Sequence, residues 1–75
     1  MEIKIRDEYI RLGQAMKLAG LVENGGEAKD VITDGEVTVN GQAETRRGRK
    51  LRDGDSFSYG GNTVTVRAGG APAQD

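Results

Sequence analysis

Polar and apolar residues alternate from Glu2 to Arg6, with Ile3 and Ile5 on one side, the period of a strand with one buried face. Near Tyr9 the period lengthens. Leu12, Ala15, Met16 and Ala19 fall at i, i+3, i+4 and i+7 and predict a helix with one apolar face. Arg11, Gln14 and Lys17 recur every third residue on another sector of its surface. Gly20 is suited to close this helix, because glycine takes the left-handed conformation at little cost. Asn24 and Glu27 stand at the spacing of an N-cap and a capping-box acid, so a second helix starts there. Ala28, Val31 and Ile32 form its inward stripe, and Gly35 ends it. Two short helices so close in sequence are expected to pack as a hairpin.

After Gly35 the period returns to two. Val37 and Val39 alternate with polar neighbours and lead into Asn40-Gly41, a strong hairpin signal, from which Gln42 to Thr45 can pair back. Arg46 to Arg52 reads as an extended loop with Leu51 anchored in the core. Asp53-Gly54 is a turn, and Phe57 and Tyr59 alternate with Val64 and Val66 across Gly60-Gly61-Asn62 as a second hairpin. Residues 68–75 hold nothing to bury and are expected to be a flexible tail, leaving residues 1–67 as a single domain. Strand, two helices, then strands gives an α+β fold, with no internal repeat.

Composition narrows the chemistry. The 75 residues include no cysteine and no histidine, which excludes disulfides, thiolate metal sites and the commonest general base. Thr45, Ser56 and Ser58 have no base beside them, and Asp53-Gly54-Asp55 is more simply a turn than a metal site. No catalytic residue, metal or cofactor is expected, and so small a core leaves no room for an enclosed small-molecule site. No apolar run exceeds two residues and no leader pattern opens the chain, so a cytoplasmic monomer is expected. Tyr9, Phe57 and Tyr59 are the only aromatics. Each falls in an apolar stripe and is expected in the core, which removes the stacking platform of single-strand binders.

A net charge of −1 and a pI near 5.4 argue against a nucleic-acid partner if the sum alone is considered. The distribution argues otherwise. Arg46, Arg47, Arg49, Lys50 and Arg52 make five of seven consecutive residues basic, with no acid among them. Like charges so crowded are hard to explain as structure, and guanidinium forks match phosphate oxygens in pairs.

The fragments Gly26-Glu27-Ala28-Lys29, Val31-Ile32, Gly35-Glu36-Val37-Thr38-Val39-Asn40-Gly41 and Gly54-Asp55, in this order and spacing, resemble the RNA-binding domain named after small-subunit ribosomal protein S-four. Pseudouridine synthases and tyrosyl-tRNA synthetases also look to carry it. Glu44 to Leu51 is most similar to its short stand-alone bacterial subgroup, the YaaA/YbcJ-like proteins, and the resemblance runs from about Tyr9 to Val66. It implies two short helices packed on a small bent antiparallel sheet, the αL RNA-binding motif. It also implies an RNA surface made by the first helix, the start of the second and the loop after the Asn40-Gly41 hairpin. On this chain those are Arg11, Gln14 and Lys17, then Gly25, Gly26 and Lys29, then Arg46, Arg47, Arg49, Lys50 and Arg52. Many family members have serine and a basic residue where this chain has Gly25 and Gly26. The function so implied is non-catalytic binding to the backbone and shape of structured RNA, ribosomal or transfer, with the ribosome as a candidate partner. The alternative is a module of the same fold that binds an acidic protein.

Overall fold

The two apolar helix stripes close over one face of a small sheet in the computed structural model, which describes residues 1–68. In chain order the elements are β1 (Glu2–Ile5), β2 (Tyr9–Arg11), α1 (Leu12–Leu18), α2 (Gly25–Thr33), β3 (Thr38–Val39), β4 (Gln42–Ala43), β5 (Lys50–Arg52), β6 (Ser56–Tyr59) and β7 (Asn62–Ala68). Five strands form one sheet in the order β1-β7-β6-β3-β4, and β2 and β5 form a separate two-stranded ribbon. Leu12, Ala15 and Met16 of α1, Ala28 and Ile32 of α2, and Val39, Leu51, Phe57, Val64 and Val66 of the strands are buried together.

Local signals set the helix ends. Asn24 Oδ1 accepts from the Glu27 amide at 2.8 Å, and Glu27 reaches back 2.8 Å to the amide of Glu23, one residue before the N-cap. Gly20, at φ 77°, closes α1: its amide donates to the Lys17 carbonyl, and that of Leu21 donates to Met16. Gly35 closes α2 by the same pair of bonds, to Ile32 and from Glu36 to Val31.

Three expectations change. The sheet is mixed, not wholly antiparallel, because β1 runs parallel to β7 with Ile3 opposite Val66. The two strands lie far apart in the chain, with both helices between them, and so long a connection permits the parallel direction. Tyr9–Arg11 is a strand, not the start of a helix: it pairs antiparallel with the end of the basic run, Ile10 opposite Leu51. Finally, Ala68 belongs to β7 and pairs with Ile5, so the ordered unit extends one residue past its expected end. The rest of the expected tail, residues 69–75, lies outside the described residues.

Among the described residues no helix is long and apolar enough to cross a membrane.

Candidate nucleic-acid interface

The basic run is held against the start of α1 by main-chain bonds. The first amides of a helix have no intrahelical carbonyl, and the N-cap residue Arg11 supplies no side-chain cap. Carbonyls of the run serve instead, Arg49 accepting from the Leu12 amide at 2.8 Å and Arg47 from the Gly13 amide at 3.0 Å. Arg11 Nη1 adds a bond to the Gly48 carbonyl at 3.1 Å. So close an approach requires glycine at position 13, since a β-carbon there would lie 2.7 Å from Arg47 Cγ. Sequence reasoning passed over Gly13; the available signal was a glycine in the first turn of a predicted helix with no turn to make.

Glu44 organises the same loop from the inside. It is the one buried charged residue among the described residues. Its carboxylate accepts from Nε, Nη2 and the amide of Arg46 at 2.9, 3.1 and 2.9 Å, and from Arg49 Nη1 at 2.8 Å. The Arg46 side-chain bonds, then that of Arg49, lower the carboxyl pKa to about 2, against a smaller opposing effect of burial. Two of the five cations are therefore neutralised. Asp53 and Asp55, expected to share that task, do not: Asp53 accepts from the Ala68 amide, and Asp55 from the Arg52 amide and the Asn40 side chain. Among the described residues Arg47, Lys50 and Arg52 have no carboxylate partner.

Arg11, Gly13, Gln14, Lys17, Gly25, Ala28, Arg47 and Gly48 line one open cleft of about 370 Å³ between α1, the start of α2 and the basic loop. Arg46, Gly48, Arg49 and Lys50 edge a shallower hollow beside it. At the α2 end Asn24 takes the Glu27 amide, while those of Gly25 and Gly26 have no protein acceptor among the described residues. A helix start of this kind carries partial positive charge and favours anions.

Tyr9 departs from expectation. It stands half-exposed outside the core, whereas Phe57 is buried and Tyr59 packs against it. Lys50 Nζ lies 4.7 Å from the centre of its ring, and the guanidinium carbons of Arg52 and Arg11 lie 5.6 and 5.9 Å away. The pairing of β2 with β5 creates this group: Ile10 and Leu51 turn inward as partners, so their neighbours turn outward.

Residues 3–67 match the S4 domain family across nearly the whole ordered chain. The chain belongs to that family. It is 49% identical over 53 residues to a Bacillus subtilis protein named Probable ribosome maturation protein RlbA, covering 71% of this chain and 75% of that one. With YbcJ of Escherichia coli it shares 38% identity over 60 residues, 80% of this chain and 86% of that protein. The solution structure of YbcJ, described as revealing an αL motif involved in RNA binding, superposes with a TM-score of 0.70 at 34% identity, covering 89% of this chain and 86% of that one.

In this S4 domain the expected site residues separate into groups. Arg11, Gln14, Lys17, Gly25 and Arg47 meet at the cleft although they come from three parts of the chain. Arg46 and Arg49 face Glu44, while Lys50 and Arg52 stand on the ribbon beside Tyr9. Lys29 and Gly26 do not line the cleft. Lys29 follows the inward Ala28 and so points about 100° away around α2.

Proposed function

We propose that this S4 domain is a non-catalytic RNA-binding module that holds the phosphate backbone of structured RNA in the cleft between α1, the start of α2 and the basic loop. The observation that carries the reading is the convergence of Arg11, Lys17 and Arg47 on one cleft that ends at the unpaired amides of Gly25 and Gly26. Three cations and two amides suit a run of phosphates, which needs several modest contacts along a surface. The cleft is open, and its rigid floor of α1 backbone and loop carbonyl bonds suits recognition of shape. No nucleophile or base lies among its lining residues, so binding is the whole of its work. Similarity to a protein named for ribosome maturation favours ribosomal over transfer RNA as the target.

The test is fluorescence anisotropy with a folded ribosomal RNA fragment, a transfer RNA and duplex DNA of equal length, each across a range of salt. Expected is binding to folded RNA with a slope of log affinity against log salt of about −3, one phosphate for each of the three cations, and weaker binding to DNA. Affinity for none of the three, even at low salt, would overturn the reading.

A further inference from the structure

We propose that the outward face of the β2–β5 ribbon is a second RNA contact, which takes an unpaired nucleotide with its base against Tyr9 and its phosphates on Lys50 and Arg52. This rests on the reading of the cleft as an RNA grip and extends it to a part of the surface that the cleft does not include. The ribbon register opposes Tyr9 to Arg52 and Arg11 to Lys50, so all four side chains project from one face while Ile10 and Leu51 fill the other. Arg11 and Lys50 are like charges directly across a ladder, an arrangement that destabilises a free ribbon. All three cations stand within 6 Å of a single phenol ring, and none has a carboxylate partner among the described residues. The ring's negative face offsets part of that repulsion. An anion bound there offsets the rest.

The other side of the ring says which part of a nucleotide goes where. Tyr9, Ile5, Ile10 and Gln14 border an open hollow of about 530 Å³ together with Asp7 and Glu8. These two exposed carboxylates repel phosphate, but they accept hydrogen bonds from the amino groups on a base edge. An aromatic surface with acceptors on one side and cations on the other fits a base splayed from its helix, the form in which RNA sequence is read. Arg11 and Gln14 line both this hollow and the α1–α2 cleft, so a strand leaving the cleft passes directly onto Tyr9.

The chain has two tyrosines and no tryptophan, so in a Tyr59→Phe variant Tyr9 is the sole tyrosine emitter. That variant is titrated with two RNAs, a hairpin flanked by unpaired nucleotides and a fully paired duplex. Anisotropy of labelled RNA reads binding, and tyrosine emission corrected for RNA absorption reads Tyr9. Quenching by the flanked hairpin and not by the duplex is expected. With it, Tyr9→Leu in the otherwise native chain should lose roughly fivefold or more in affinity for the flanked hairpin alone. If the hairpin binds and Tyr9 emission stays unchanged, the ribbon contact is wrong while the cleft reading stands. If neither RNA binds, both fall.

Discussion

Glu44 Oε1 lies 2.8 Å from Arg49 Nη1, and the remaining lone pairs of the same buried carboxylate are taken by Arg46. A run of five cations thereby divides into a pair that fixes the loop and three that remain available. The Glu44 pKa, near 2 in the folded chain against an ordinary 4.5, gives this a pH signature. A group whose pKa is depressed on folding contributes its stability above the unfolded value and loses it as pH falls toward the folded one. Urea unfolding of the native chain should therefore weaken between about pH 4.5 and 2, and the difference from Glu44→Gln should shrink over that window. At pH 7 the variant should be less stable by about 1–3 kcal/mol, the scale of hydrogen bonds to a charged group.

Arg46 and Arg47 are neighbours with different tasks. Arg47 lines the cleft and has no carboxylate partner among the described residues, whereas Arg46 is bound to Glu44. Arg47→Ala should leave the melting temperature within a degree or two and reduce the salt slope of RNA binding by about 0.7–0.9, one phosphate. Arg46→Ala should lower the melting temperature and weaken RNA binding through the disturbed loop. Parallel thermal melts and salt titrations separate the two.

Gly13→Ala sets a β-carbon into the Arg47 side chain. Gly13 is not among the left-handed glycines, so alanine gains about 0.5–1 kcal/mol in helix preference and the crowding opposes it. The expected result is near-native stability with RNA affinity reduced several-fold, because Arg47 is displaced from the cleft. Melting and anisotropy on the one variant check both halves.

At Gly25 a β-carbon meets no protein atom within 4 Å, and the backbone is not left-handed. Gly25→Ala should therefore keep or slightly raise stability. Its methyl group would enter the space through which a phosphate approaches the α2 amides, so RNA affinity should fall several-fold. Unchanged affinity would mean that the glycine serves only the turn between the helices.

Where structure is decided by neighbours in sequence, it was legible. Asn24, Gly20 and Gly35 carry the caps and stops of the helices in their own chemistry, and Phe57, Val64 and Val66 carry the last hairpin in their alternation. Pairing between distant segments was not. Nothing in Glu2–Ile5 names β7 as a parallel partner. Tyr9 and Arg11 suit a helix or a strand until β5 lies beside them. The candidate site was legible as a basic run and a helix sector. The division between Arg46 and Arg47 was not, because it depends on which cation the buried Glu44 reaches. Lys29 could have been set aside from phase alone, being next to the inward Ala28.

The account's central claim is that the cleft holds the RNA, and backbone amide chemical shifts of the labelled protein test it most directly on titration with a folded ribosomal RNA fragment. The largest changes should fall at Gly13, Gln14, Lys17, Gly25, Arg47 and Gly48. Changes confined to the outer face of α2, at Asp30, Thr33 and Asp34, with the cleft amides unmoved, would contradict it.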